Sequence, residues 1–432
     1  MPLFTFCATK VKSNPRALAP FFFLMAWANL VMAQAPVSLK EIFEQANAYY
    51  PALQAARLEK RASMDDLEAA RRLYWPTLSA VAESTSNKTN ALSTLPSRTV
   101  QVEQTLWDAG QVRSKISESK AQTDIQELKA TQVQEDVYLQ LTNAWQNLLA
   151  SKERMAVAQQ TIQRLEGYQL QMQRRVKVEA SPRIDLELAN SRILQTQVEY
   201  TAAHNSLKQA LTRIEQYTGR SDLQSTVTRN GGILTLMPSP AFDAALHNMD
   251  WQSVVDRHPS IAKTKAEAVQ SQTRLDQKKA EAWPQLYARI SQPLSNLGPG
   301  YANGPTAFVG FRYSSSAGFS NQLQAQALAT RVASAEELVA AAATDLKQTL
   351  RADQEEYFSA KSRIDALEKS VQGSDLVLIS YQRQFQGGKK TWQDLLNAVR
   401  ELAQNQYALA DARASMVGAM HRLQIRAGWE VQ

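Results

Sequence analysis

Side chains able to do catalysis or bind a metal are few in this sequence and lie far apart. No nucleophile elbow, zinc-protease, phosphate-loop or dinucleotide-binding motif is present. The four histidines do not follow the spacing of a metal-binding motif; they are His204, His247, His258 and His421. We therefore expect no enzyme activity, no metal site and no cofactor.

Two acidic residues, by contrast, occupy matching positions. Asp185 and Asp394 are 209 residues apart, and each lies a few residues after a break in a helical stretch. A carboxylate at the start of a helix stabilises the positive end of the helix dipole. In a narrow pore, the same carboxylates would create a negative potential that could bind cations. The residues alone permit both interpretations.

The distance in sequence between these two acids reflects a tandem duplication of the chain. Pro51 and Pro259 each open a helical stretch, and Pro76 and Pro284 close it 25 residues later, with the copies 208 residues apart. Further pairs lie 208 or 209 residues apart: Ala109-Gly110 with Ala317-Gly318, Ala189 with Ala398, and Gly219 with Gly428. The chain is therefore a unit of about 210 residues that occurs twice.

Each unit predicts a helix, a β-hairpin, a long helix and a shorter return helix. Alternating apolar and polar residues indicate the hairpins, and long stretches without proline indicate the helices. A long helix of 68 residues would extend about 100 Å. The first repeat spans 34–218, with its hairpin at 75–107, long helix at 111–178 and return helix at 183–217; the second spans 251–428, with these elements at 284–315, 319–386 and 391–426. Residues 219–250 are a linker that could form a small side domain, and 429–432 are a tail.

The long helices show the pattern of a coiled coil. In the first, nine of eleven residues at heptad spacing between Leu141 and Val176 are apolar, as expected for helices that pack along a continuous seam. The fold class is therefore mainly α, with tandem-duplicated long helices and a pair of β-hairpins.

The first 33 residues have the features of a secretory signal peptide. Three basic residues precede an apolar stretch over 17–32, and small residues predict cleavage near Ala33. The alternative is an N-terminal membrane anchor, but Pro20 and Asn29 interrupt the short apolar run. Cleavage would lower the net charge from +7 to +4 and remove Cys7, the single cysteine. The basic charge is therefore weak support for a nucleic-acid partner.

The exported chain has too few strands to close a membrane barrel by itself. Four strands are predicted, whereas transmembrane barrels have eight or more. Hairpins from several copies would close one, and their helices would form a coiled-coil tube. The alternative is that the four strands form a soluble sheet that caps the helices. The residues thus favour an oligomeric conduit and leave the number of copies open.

Several motifs resemble the TolC family of outer-membrane efflux and type I secretion proteins. They are Ser38-Leu39-Lys40-Glu41, Tyr50-Pro51, the Trp-Pro entries at 75–76 and 283–284, Leu106-Trp107-Asp108-Ala109-Gly110, and the stretch around 385–397. The resemblance implies a homotrimer with a 12-stranded β-barrel in outer-membrane lipid and a helical tunnel in the periplasm. It also implies two partners, a periplasmic membrane-fusion adaptor and an inner-membrane ABC or proton-driven pump.

By the same resemblance, the working residues lie at the turns between long and return helices. In the second repeat Phe385 corresponds to an aromatic latch, Lys390 to a basic residue and Asp394 to the first of two pore-facing aspartates; Asn397 replaces the second. Gly387 and Gly388 form the turn, and we expect positive φ angles there.

The first repeat departs from this pattern. Asp185 matches the pore aspartate, but Glu179 stands where a glycine is expected, and the tip is formed by Ser181 and Pro182. The resemblance thus implies a passive duct for drugs, metals or secreted polypeptides, with a gate near Asp394 and Asp185. The alternative is a periplasmic coiled-coil scaffold or adaptor without a pore.

Overall fold

The structure is a computed structural model, and it describes residues 37–83, 97–223, 238–294, 304–313 and 320–429. The expected signal peptide, the central part of the 219–250 linker, the hairpin loops and the end of the tail lie outside the described residues. Residues Pro36–Gln432 form one compact unit.

The described residues form nine α-helices and four β-strands. The helices are α1 Leu39–Tyr49, α2 Pro51–Arg71, α3 Gln111–Lys177, α4 Arg183–Thr218, α5 Pro240–His247, α6 Trp251–Arg257, α7 Pro259–Ala280, α8 Asn321–Gln386 and α9 Trp392–Ala427; the strands are β1 Thr77–Glu83, β2 Ser97–Trp107, β3 Gln285–Pro293 and β4 Thr306–Arg312. The predicted mainly helical fold with a small antiparallel sheet is confirmed. None of the described helices combines the length and the apolar character needed to span a bilayer.

Proline and glycine set many of these boundaries. Pro51 and Pro259 are the first residues of α2 and α7, where a missing N–H costs nothing because no helical partner exists. Helix α2 ends at Arg71 and continues as a 3₁₀ turn over Arg72–Tyr74, two residues short of Pro76. Within the segment treated as a linker, Pro240–His247 form a helix whose N-cap is Ser239.

Helix α3 lies at the centre of the molecule. It packs against α2 and α4 of its own repeat and against α7 and α9 of the other repeat. One predicted heptad series is fully buried, as a packed seam requires; its members are Ala144, Ser151, Ala158, Leu165 and Met172. Four of these five side chains are small or unbranched, so neighbouring helices can approach closely along α3.

The core also joins the two repeats. Its largest cluster contains Leu141, Trp145 and Leu148 of α3, all 2% exposed or less, together with residues of α1 and α4. Ala414 and Val417 of α9 belong to the same cluster. The two copies therefore share one hydrophobic interior and do not fold as separate domains.

The short helix α5 is fixed to the long helix α8 by a partly buried polar contact. The Tyr357 hydroxyl donates to Asp243 Oδ1 at 2.6 Å, and Lys361 bonds the other carboxylate oxygen. Phe242 packs edge-on against the Tyr357 ring. Burial raises the pKa of Asp243, but the bonds from Lys361 and Tyr357 outweigh it and hold the pKa below its usual range.

This contact predicts a pH-dependent stability difference. Asp243→Asn should lower the free energy of unfolding by about 1.5 kcal/mol at pH 7, because a hydrogen-bonded charge is lost. A depressed pKa stabilises the fold above the unfolded value of about 3.9 and loses that effect as pH falls through the folded pKa. The difference between wild type and variant, measured by denaturant unfolding in detergent, should therefore shrink towards pH 3. Asp345→Asn, at an exposed acid on α8, is the control, and a pH-independent Asp243→Asn difference would contradict the assignment.

The four strands form one antiparallel sheet in the order β1-β2-β3-β4. The hairpins of the two repeats meet along β2 and β3, where Val102 pairs with Ile290 and Glu103 with Arg289. Paired residues share a face. One face is therefore apolar and exposed, with Leu78, Val102, Ile290, Val309 and Phe311 among its residues, whereas the other carries Thr77, Gln101, Glu103, Arg289 and Arg312.

Candidate functional site

The long helices of the two repeats end in the same type of turn. Helix α3 closes with a hydrogen bond from the Ala180 N–H to the Arg175 carbonyl, and α8 closes with one from the Lys389 N–H to the Gln384 carbonyl, both at 2.8 Å. This bond, spanning five residues, is the mark of a Schellman motif. We call these two turns, together with the adjoining helix ends, the helical tips; they span residues 174–186 and 383–395.

The left-handed residue of each tip is Glu179 in the first repeat and Gly388 in the second, with φ angles of 57° and 71°. The two positions are 209 residues apart, so the duplication preserved the backbone while the side chain diverged. Gly387 has φ −83°, and the expectation of a positive φ at this residue is wrong. Only one glycine is needed, because one left-handed residue is enough to reverse the chain.

Asp394 forms a capping box with Thr391 at the start of α9. The Asp394 N–H donates to the Thr391 hydroxyl at 3.1 Å, while the Thr391 hydroxyl and N–H both donate to Asp394 Oδ2, at 2.8 and 3.1 Å. These bonds from Thr391 hold the pKa of Asp394 below its usual range. The carboxylate is therefore ionised and also caps the start of α9.

Asp185 holds the matching position in α4 but has a different environment. The residue that matches Thr391 is Pro182, which lacks a hydroxyl and makes no side-chain cap. The Asp185 N–H donates instead to the Pro182 carbonyl at 3.1 Å. Asp185 and Ser181 are partly exposed, and Pro182 is exposed. The Asp185 carboxylate thus takes no part in a capping box.

Trp392 connects the two tips, a role that the sequence did not predict. Its buried indole Nε1–H donates to the Asp185 carbonyl at 2.8 Å. Its ring lies 5.3 Å from that of Phe385 and 6.3 Å, edge-on, from that of Tyr168. The one feature of the sequence that could have indicated this role is the position of the tryptophan, directly after a helix cap in an otherwise polar turn.

The expected latch and basic residues pack locally. The Arg175 guanidinium of the first repeat lies 4.9 Å from the Phe385 ring centroid, which adds a second contact between the tips. Lys390 Nζ lies 4.3 Å from the centroid of Tyr381. Asn397, partly exposed, is three residues after Asp394 on α9. Phe385 and Lys390 thus contact neighbouring side chains within the tips.

The two acids are surrounded by positive charge. The basic residues at or beside the tips are Arg174, Arg175, Lys177, Arg183, Arg383, Lys389 and Lys390. Cations near a helix C-terminus interact favourably with its dipole, which accounts for those at the ends of α3 and α8. Asp185 and Asp394 therefore lie within a mainly basic region of each chain.

The left-handed residues of the two tips predict opposite effects on local stability when a glycine is removed from one tip and introduced into the other. Gly388→Ala should destabilise its tip by about 1 kcal/mol, because a left-handed conformation disfavours any Cβ, although no atom lies within 4 Å of the added carbon. Glu179→Gly should stabilise the other tip by a similar amount. Amide hydrogen exchange at residues 174–186 and 383–395 would report each change locally.

Gly167→Ala serves as the matched control, since Gly167 lies inside α3 and its added Cβ also meets no atom. There alanine should slow exchange, because glycine is the poorer helix former. If Gly167→Ala and Gly388→Ala changed amide exchange in the same direction and by the same amount, position 388 would not be strained by a Cβ.

Comparison with known proteins places this fold among outer-membrane channels. Residues 42–220 match the family model described as Outer membrane efflux protein. A membrane protein from Pseudomonas aeruginosa is 16% identical, with 97% of each chain covered and a TM-score of 0.79. The outer membrane protein VceC of Vibrio cholerae is 14% identical, with 90% of this chain and 96% of that chain covered and a TM-score of 0.78.

The open MtrE outer membrane channel of Neisseria gonorrhoeae is 16% identical, with 90% and 89% coverage and a TM-score of 0.72. No curated protein sequence matches the chain. At these identities the structures establish the fold, and the family model covers residues 42–220, which is less than half of the chain. Together they confirm the resemblance stated above, and the proteins matched include outer-membrane channels, whereas cleavage near Ala33 stays a prediction.

Proposed function

We propose a function from the premise that this chain carries an outer membrane efflux protein domain at residues 42–220 and has the fold of TolC-like channels. It is the outer-membrane duct of a tripartite export system, assembled as a homotrimer. It conducts drugs, metals or secreted polypeptides passively from a periplasmic adaptor and an inner-membrane ABC or proton-driven pump to the exterior. The family consists of channel proteins and not of enzymes.

The observation that carries this proposal is the two-faced sheet. Its apolar face is exposed, with Val309 and Phe311 at 73% and 77%, and such a face in water is unfavourable. Strands β1 and β4 lie at the edges, where unpaired backbone groups are costly in lipid. Three copies joined edge to edge would give twelve strands, with the apolar face towards lipid and the polar face towards a water-filled interior.

The helices supply the length of the proposed duct. Helix α3 has 67 residues and α8 has 66, and each extends about 100 Å. The sheet lies at the N-terminal ends of these helices and the tips at their C-terminal ends. A tube built from them would therefore open to the exterior through the barrel and to the periplasm at the tips.

The tips are the proposed gate, and the two acids contribute differently. Asp394 is used in the capping box, so its removal also weakens the start of α9. Asp185 has no such role and is the better candidate for attracting cations, although basic neighbours reduce the effect. Phe385 and Trp392 hold the tips together, and Lys390 and Asn397 belong to the proposed constriction. The tip turns are formed by Gly387, Gly388, Ser181 and Pro182.

The scaffold without a pore is the second candidate. It accounts for the coiled-coil helices, but it gives no reason for strands with an exposed apolar face between them. The same protein preparation can separate the two functions, because a scaffold would not form ion-conducting pores.

The test is single-channel recording in planar bilayers under a salt gradient. Wild-type protein should form pores, and Asp185→Asn should reduce their preference for cations. A unit charge 4 Å from an ion contributes about 1 kcal/mol in water, equal to roughly a fivefold change in local cation concentration, which gives the expected order of magnitude of the effect. Asp394→Asn should have a smaller effect on selectivity and should also speed amide exchange at the start of α9.

Asp65→Asn, an exposed acid on α2, provides the same charge change far from the tips and should leave selectivity unchanged. If the reversal potential were unaltered in Asp185→Asn, Asp185 would be only an acid at the start of a helix, without a role in selectivity. If protein shown to be folded by circular dichroism formed no pores, the scaffold would replace the duct.

A further inference from the structure

We propose that the polar face of the sheet carries an anion-binding site formed by Arg289, Arg312, Glu103 and Tyr287. Its ligands are carboxylate or phosphate groups of solutes that pass through the pore. The inference rests on the proposed duct, because it needs this face to line a water-filled interior. The side chains that form the site nevertheless all belong to one chain.

The centre of the site is a carboxylate shared by two guanidinium groups. Arg289 donates from Nε and Nη2 to Glu103 Oε2, at 2.9 and 2.6 Å. Arg312 Nη2 donates to Glu103 Oε1 at 3.2 Å. Two positive groups thus share one negative group, which leaves an excess of one positive charge in each chain.

The two arginines differ in how much of their side chain water can reach. Arg289 is 28% exposed and makes the paired contact with Glu103, whereas Arg312 is 52% exposed and reaches the carboxylate through a single nitrogen. A guanidinium presents five N–H donors in a plane that matches carboxylate and phosphate oxygens. Arg312 is therefore the group from which an incoming anion would take hydrogen bonds, while Arg289 holds Glu103.

An aromatic ring positions both arginines. The guanidinium carbons of Arg289 and Arg312 lie 5.1 and 4.8 Å from the centroid of Tyr287. Gly310 pairs with Tyr287 across the neighbouring strands, and a Cβ at Gly310 would lie 3.1 Å from the Tyr287 hydroxyl. The glycine thus leaves the space in which the ring lies, and the ring supports the arginines through cation–π contacts.

The position of the site determines what it meets. Gln285 pairs with Arg312 at the end of the sheet next to the helices, because α7 leads into β3 there and β4 leads out to α8. Solutes leaving the helical tube would therefore meet the site as they enter the proposed barrel. The opposite, apolar face is the one suited to lipid, so the arginines project towards the interior.

Acidic groups elsewhere on the described sheet do not cancel this charge. Glu83 shares the polar face but pairs at the far end of β1 and β2, six residue pairs beyond Glu103. That separation is about 20 Å along the strands, more than twice the screening length of about 8 Å at physiological salt. Asp108, just after β2, accepts the N–H groups of Gly110 and Val112 and so caps α3.

The experiment is block of the single-channel current by inorganic pyrophosphate in neutral-lipid bilayers, with wild type and variants compared. Wild-type pores should show concentration-dependent block. Arg312→Gln should require a roughly tenfold higher concentration, as expected for loss of a hydrogen bond to a charged group. Arg312→Lys keeps the charge without the planar donors, and its block should be intermediate.

Glu103→Gln should act in the opposite direction and strengthen block, because it removes the negative charge that competes with the anion. Arg61 is an exposed residue of α2, so Arg61→Gln is the matched control for loss of a positive charge. Pyrophosphate should block its pores as it blocks those of the wild type. Absence of pores in the wild type would overturn the duct itself. Pores whose pyrophosphate block is identical in wild type, Arg312→Gln and Glu103→Gln would overturn the anion site and leave the duct intact.

Discussion

The packing of α3 against helices of both repeats is the constraint on which the other features depend. Its seam of small and apolar side chains is buried from Ala144 to Met172, about eight turns, and α9 of the second repeat shares the cluster around Leu141 and Leu148. Because one rigid helix extends from the sheet to the tips, both ends are positioned by the same packed element. The hairpins are held side by side at one end, and the two tips are held against each other at the other end.

The boundaries of the long elements could be predicted from sequence because their causes are local. Proline positions the starts of α2 and α7, the absence of proline allows α3 and α8, and period-two alternation identifies the strands. Even the capping box was present as Thr391 followed three residues later by Asp394, a pattern known from helix starts. Its reading as a pore aspartate came from the resemblance, and the structure adds a purely local role for the same carboxylate.

Other features needed the folded structure. The hydrogen bond from Trp392 to the Asp185 carbonyl joins residues 207 positions apart, and no local pattern specifies such a pairing. Similarly, Arg289 and Arg312 are in the second repeat while Glu103 is in the first, so only the strand register brings them together. Which of two adjacent glycines takes the left-handed conformation also depends on the last turn of α8, and the wrong expectation for Gly387 reflects this.

The two open edges of the sheet have a consequence for how the protein is made. In the proposed assembly, a lone subunit in the bilayer would leave the backbone groups of β1 and β4 unpaired, at a cost of several kcal/mol for each group. Insertion of single subunits followed by association within the membrane is therefore disfavoured. Biogenesis would instead depend on an encounter of three chains in the periplasm, so the yield of mature protein would fall steeply when expression is low. A defective subunit expressed beside the normal one would then be incorporated into most complexes, and such alleles would be genetically dominant.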